Sequence, residues 1–207
     1  MGKDDELIPA IVPTWLGPST LVGLFRPPQS FTLISAHHLL SKLRWDMEQL
    51  DAMQWDENLG KVWRQAVSYK AIDCATSIWH LGEWFTQDIL GIEPRKRARA
   101  FLEIEGYDPH RRIALGELRQ RAMAKCPDLD ICRIIAIASK HYDVSSKPRP
   151  EIRTACVLAT ARRHGESFKR PYMQLSVFDD KKRRDMRDIL TNCQQFWAQL
   201  WEAAKPQ

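Results

Sequence analysis

The chain has 207 residues, of which 44% are hydrophobic and 28% are charged. This composition is too apolar for a disordered chain, and its length predicts one domain with a core that needs neither disulfides nor a metal ion. The formal net charge is +5, but residues 1–93 contain 7 basic and 12 acidic residues (−5), whereas residues 94–207 contain 24 and 14 (+10). This asymmetry can indicate a surface that binds nucleic acid or an acidic partner. Alternatively, the acidic part of the chain packs against the basic part.

The first 34 residues are rich in proline, with prolines at 9, 13, 18, 27 and 28. Proline removes a backbone donor and disfavours helix in the preceding residue, so we expect a Pro-rich arm at 1–34 and a single helical domain at 35–207. The opening residues are acidic where a secretory signal is basic, and no segment approaches the roughly 20 apolar residues of a membrane helix. A cytoplasmic protein without membrane association is expected.

Two helices are predicted next from apolar residues at spacings of three and four. Ser35 can cap a first helix that continues to about Trp55. A long second helix is predicted from about Trp63 to Leu90, followed by the breakers Gly91 and Pro94. The residues that we expect to be buried together on this second helix are Trp63, Cys74, Ile78, Leu81 and Phe85.

The basic run from Arg95 predicts a solvent-facing helical turn, which is followed by a helix from about Ile113 to Lys125. Pro127 and Asp128 mark the start of a further helix, which is apolar on nearly every side and is therefore expected to be central.

After Pro150 the pattern becomes that of strands, which predicts a β-hairpin at about 152–178 with its loop at 162–170. Asp179 or Asp180 can cap a last helix, and the basic run 181–187 is expected to be a solvated helix face. The predicted fold class is mainly α, a helical bundle with a small appended β-hairpin.

The five cysteines include no C-x-x-C pair, and the only adjacent histidines are His37 and His38. Structural zinc requires ligand pairs at short spacing, so we expect reduced thiols and neither a metal nor another cofactor.

Two groups of polar side chains interrupt the apolar helices. In the second helix, five residues follow one another at spacings of three and four, so they align along one edge of the buried stripe. They are Asp73, Ser77, His80, Trp84 and Gln87. In the central helix, Arg133 and His141 are eight positions apart, roughly 80° around the axis, so both can point into one broad cleft.

His80 or His141 could act as an acid or base near neutral pH while Arg133 holds a phosphate, a combination that suits metal-independent RNA cleavage. The alternative is structural: Arg133 pairs with Asp73 or Asp88, and the histidines donate hydrogen bonds in the core.

The chain resembles uncharacterised bacterial proteins related to HEPN domains (higher eukaryotes and prokaryotes nucleotide-binding). The resemblance is carried by the helical segments IWHLGEWF and ICRIIAIASKHY, the hairpin that follows them, and the final segment QQFWAQLW. The resemblance covers about residues 60–204. It implies a helical, usually dimeric and metal-independent protein of a toxin or defence system. In HEPN ribonucleases an Arg and a His are separated by four to six residues, whereas seven residues separate Arg133 from His141.

The resemblance leaves two functions open: an RNA-binding protein or endoribonuclease, and a non-catalytic protein-interaction subunit such as a scaffold or an antitoxin-type partner. The candidate catalytic residues are Arg133, His141 and His80, supported by Asp73, Ser77 and Trp84. The candidate RNA-binding residues are Lys140, Arg162, Arg163, Lys169 and Arg170. RNA, a protein partner and a second copy of the chain are the partners to expect.

Overall fold

The computed structural model describes residues 33, 35–53, 60–89, 91–105, 112–140, 152–159, 172–179 and 182–205. The chain divides after Ile34, and every element below belongs to the unit Ser35–Gln207. The predictions for the Pro-rich arm, His141 and the hairpin loop fall outside the described residues, apart from Leu33 at the end of the arm.

The described part contains six helices and three strands. The helices are α1 (Ala36–Ala52), α2 (Gly60–Asp88), α3 (Ile92–Leu102), α4 (Leu115–Lys125), α5 (Asp128–Lys140) and α6 (Met186–Ala204). The strands are β1 (Arg153–Ala159), β2 (Tyr172–Asp179) and β3 (Lys182–Asp185), which form one antiparallel sheet in that order. The predicted class, mainly α with a small β element, is confirmed.

Helices α1 and α2 follow the predicted periodicity. The Ser35 hydroxyl caps α1 by accepting a hydrogen bond from the His38 backbone N–H at 3.3 Å. Of the stripe expected to be buried on α2, Cys74, Ile78, Leu81 and Phe85 are buried. Trp63 is only half-buried, because the first turn of α2 extends beyond the core, which Val67 is the first described α2 residue to enter, and its predicted burial is wrong.

Helix α3 is longer and more buried than the predicted solvent-facing turn. It has 11 residues, and the residue that follows it, Glu103, has a left-handed φ of 53°. Its buried face includes Arg95 and Arg99, so part of the basic run packs inwards. The prediction failed because it treated these arginines as solvated groups, whereas their long aliphatic stems can cover apolar surface.

Strand β3 replaces the predicted solvated helix face at 182–185. Its residues pair with β2, from Ser176 opposite Asp185 to Asp179 opposite Lys182. Charged side chains are typical of an edge strand. Helix α6 consequently begins later than predicted, and Asp185 caps it instead of Asp179 or Asp180. The Asp185 carboxylate accepts a hydrogen bond from the Arg187 backbone N–H at 2.9 Å.

The core is built around α2 and α6. Phe85 of α2 stacks on Trp197 of α6 with ring centroids 5.1 Å apart, and Phe196 adjoins Phe101 of α3. The five cysteines are free thiols, and Sγ of Cys132 lies 3.8 Å from Sγ of Cys193 within this core.

Candidate functional site

The candidate site lies where α4 packs against α2. The side chain of His80 is half-exposed, and its Nδ1 is 3.1 Å from Oε2 of Glu83, one helical turn further along. The other carboxylate oxygen of Glu83 accepts a hydrogen bond from Nη2 of Arg119 in α4 at 2.9 Å. We name His80, Glu83 and Arg119 the His80 cluster.

A second contact orients Arg119. Its guanidinium carbon lies 3.9 Å from the centroid of the Trp79 ring, a cation–π arrangement. The arginine side chain also packs over Gly82 of α2, where a Cβ would lie 3.4 Å from Arg119 Cγ, about the distance of an ordinary van der Waals contact. The carboxylate and the indole therefore fix the guanidinium beside the imidazole.

The electrostatics of the cluster keep Glu83 ionised at neutral pH. Burial acts to raise the pKa of Glu83, but the hydrogen bonds from His80 and Arg119 outweigh it, and the net effect lowers this pKa. A carboxylate next to Nδ1 favours the tautomer with its proton on Nδ1. The basic nitrogen of a neutral His80 is then Nε2, the nitrogen that can take a proton from a substrate.

The other residues predicted along this edge of α2 do not join the His80 cluster. The Ser77 hydroxyl is buried and accepts a hydrogen bond from Lys42 Nζ of α1 at 3.3 Å, so Ser77 faces a different helix. Asp73 is exposed, whereas Trp84 is half-buried.

Arg133 is paired within its own helix. Its Nε donates to Oδ1 of Asp130 at 2.8 Å, and its side chain is 29% exposed. This pairing differs from the structural alternative, which placed Arg133 against Asp73 or Asp88; the Asp88 carboxylate instead accepts from the Ala36 N–H at 2.6 Å.

His141 lies outside the described residues, so a cluster of His80, Arg133 and His141 stays a prediction. The same holds for the RNA contacts expected of Arg162, Arg163, Lys169 and Arg170, and for those of the Lys140 side chain at the end of α5.

Sequence reasoning missed Glu83, Arg119 and Trp79. Glu83 could have been found, since a carboxylate three residues after a histidine on a helix is within reach of its ring. Arg119 is 36 residues further along the chain than Glu83, and no local pattern connects the two.

Among the described side chains, no group of three or more His, Cys, Asp or Glu residues is arranged to hold a metal ion. None of the helices in the described ranges is long and apolar enough to cross a membrane. Comparisons with models of protein families, with curated proteins and with solved structures found no match to this chain.

Proposed function

We propose that the chain binds RNA and cleaves it without a metal ion, with His80 as the general base and Arg119 as the neighbouring cation. The observation that carries this proposal is the half-exposed imidazole held by Glu83 beside an oriented guanidinium. The resemblance to HEPN-related proteins supports RNA as the substrate, and a toxin or defence setting rests on that resemblance alone.

The chemistry needs one base and one cation. Nε2 of His80 takes the proton of a ribose 2′-hydroxyl, and the resulting oxygen attacks the adjacent phosphorus. The bond from phosphorus to the 5′-oxygen breaks, which leaves a 2′,3′-cyclic phosphate and, after proton transfer from water, a 5′-hydroxyl. Arg119 stabilises the negative charge that gathers on the phosphate oxygens.

Arg119 has hydrogen-bond donors that Glu83 does not use. A guanidinium carries five N–H donors, and the bond to Glu83 uses one of them. Its side chain is partly exposed, so the donors that Glu83 does not use can reach a phosphate that approaches His80.

We expect His80→Gln to reduce RNA cleavage by roughly 10²- to 10⁴-fold, the usual contribution of a general base. Arg119→Ala should reduce it by roughly 10²- to 10³-fold, as for loss of one charge-stabilising donor. Cleavage of a labelled RNA in the presence of a chelator measures both effects. His38→Gln and Arg44→Ala are matched controls, since both residues are exposed and lie outside the basic part of the chain, and they should cleave like wild type.

Thermal unfolding of each variant separates lost chemistry from lost folding. If His80→Gln stays active while Arg133→Ala and His141→Ala are inactive, the catalytic centre lies at the pair predicted from the resemblance and the His80 assignment is wrong. If the wild-type chain binds RNA but does not cut it, the proposed endoribonuclease activity is wrong, and RNA binding remains as the proposed function.

A non-catalytic protein-interaction subunit is the second candidate. The observation that favours it is the exposure of large apolar side chains on α1 and α2, with Trp45 56%, Val62 64% and Tyr69 61% exposed. A wild-type chain that neither binds nor cleaves RNA would favour this candidate.

We expect RNA affinity to weaken steeply with salt, because Lys and Arg contacts release counterions from the phosphates. We expect the affinity to reside in residues 94–187, which contain nearly all of the excess positive charge, with the exception of Arg95 and Arg99, because these two are buried. With three or more phosphate contacts, affinity should fall by about tenfold or more between 50 and 200 mM salt. Titration of labelled RNA at these two concentrations measures the effect, and equal affinities would exclude the basic residues as the RNA-binding surface.

A further inference from the structure

A groove of about 500 Å³ lies where the end of α4 and the start of α5 meet β3 and α6. Its lining contains two cations, Lys125 and Arg184, and the carboxylate of Asp128. The other residues that line it are Cys126, Pro127, Asn192, Gln195, Phe196 and Gln199. Among the described residues of this lining, none belongs to the His80 cluster, so the groove is a separate surface.

The two cations of the groove are held differently. Arg184 donates to both carboxylate oxygens of Asp128, which is 7% exposed, with Nη2 at 2.8 Å from Oδ2. This bidentate pair neutralises Asp128 and fixes a guanidinium whose five N–H donors are only partly used. Lys125 pairs with Glu103, whose side chain is 76% exposed, and surface pairs of this kind contribute little. Lys125 can therefore exchange Glu103 for a phosphate, and it gives the lining an excess of positive charge.

Amide side chains form the α6 wall of the groove. Asn192, Gln195 and Gln199 follow one another at spacings of three and four, so they share one face of α6. Asn192 donates to Asp128 at 2.9 Å, whereas Gln195 and Gln199 are exposed. An amide offers an acceptor beside a donor, which is complementary to N6 and N7 of adenine. In single-stranded RNA this edge of the base is open, so the glutamines can reach it.

We propose that this groove binds single-stranded RNA, with phosphates on Lys125 and Arg184. An adenine base pairs its N6 and N7 edge with the amide of Gln195 or Gln199. The inference rests on the proposed function for RNA as the partner, and it names a binding surface in the basic part of the chain. Phosphate contacts supply the affinity, and the amides supply the base preference.

Titration of labelled oligoadenylate and oligouridylate of equal length tests the proposal. The probes carry 2′-O-methyl groups, so they have no 2′-hydroxyl proton and binding is measured without cleavage. Wild type should bind the adenylate at least about fivefold more tightly, the lower end of the discrimination that one bidentate amide contact supplies.

Lys125→Ala should weaken the binding of both oligonucleotides. It should also reduce the steepness of log affinity against log salt by about 0.7, the value for one phosphate contact on a single strand. Titrations at about 50 and 200 mM salt measure this slope. Lys205→Ala is the matched control, since Lys205 is an exposed lysine in a surface salt bridge outside the groove, and it should keep the wild-type slope.

The double variant Gln195→Ala and Gln199→Ala should bind the two oligonucleotides equally, because the amides that distinguish adenine are gone, and it should keep the wild-type salt slope. Gln49→Ala on the exposed face of α1 is the matched control and should keep the preference for adenylate. The substituted side chains are exposed, so the variants should fold, and their thermal unfolding midpoints check this.

The outcomes separate this inference from the proposed function. If wild type binds both oligonucleotides without preference, if Lys125→Ala keeps the wild-type salt slope, or if the glutamine double variant keeps the adenine preference, the groove assignment is wrong while RNA remains the proposed partner. If wild type binds neither oligonucleotide at the lower salt concentration, both the groove assignment and RNA binding are wrong.

Discussion

Replacing Leu81 by Ala lowers the free energy of unfolding by about 2 to 5 kcal/mol, the range for deleting a buried aliphatic side chain. Leu81 is completely buried on α2, the helix that α1, α4, α5 and α6 all contact. The cavity left by the truncation has neighbours on every side, so it cannot be filled by a small local movement. Ile78, equally buried one turn earlier, should behave in the same way.

Chemical denaturation followed by circular dichroism measures this loss. Val62→Ala on the same helix is the matched control, because Val62 is largely exposed and should change the unfolding free energy by less than about 0.5 kcal/mol. A loss of that small size for Leu81→Ala would contradict its position in the core.

Replacing Asp46 by Ala should cost about 3 kcal/mol, because it removes the carboxylate that two lysines share. Asp46 of α1 is 2% exposed, and it forms salt bridges with Lys42 of its own helix and with Lys70 of α2, the latter at 3.1 Å. The substitution leaves both ammonium groups without this partner at the interface of the two helices. Both lysines are partly exposed, so they can turn towards water, which keeps the expected loss at the lower end of the range for buried ion pairs.

Asp51→Ala is the matched control on the same helix. The Asp51 side chain is largely exposed and pairs with Arg187 of α6 at 2.8 Å, so its loss should cost no more than about 1 kcal/mol. Equal losses for the two aspartates in thermal or chemical unfolding would refute a special role for the buried carboxylate.

Helix α2 contributes to both the core and the candidate site. Leu81 and Phe85 are buried, while His80 and Glu83, on the same two turns, are half-exposed beside α4. Any variant that loosens α2 will therefore also disturb the imidazole and its carboxylate. A loss of RNA cleavage counts as lost chemistry only when the unfolding midpoint of that variant is unchanged.

Local periodicity was enough to predict most helices. Residues three and four apart share a helix face, so the stripe of Cys74, Ile78, Leu81 and Phe85 can be predicted from spacing alone, as can the Ser35 cap next to its helix. Periodicity failed at 182–185, where a run of basic residues suits either a solvated helix face or an edge strand. Pairing with β2 makes it a strand, and that partner is not visible in the run itself.

The sequence by itself determined where most of the helices lie and which residues form most of the buried stripe of α2, because these depend on neighbours within one or two turns. Only the tertiary structure decided that Arg119 joins His80 through Glu83 and that Arg95 and Arg99 pack inwards. Each of these features joins residues far apart in the chain. Their contacts depend on the angles at which helices and strands pack, which the spacing of residues within one element does not encode.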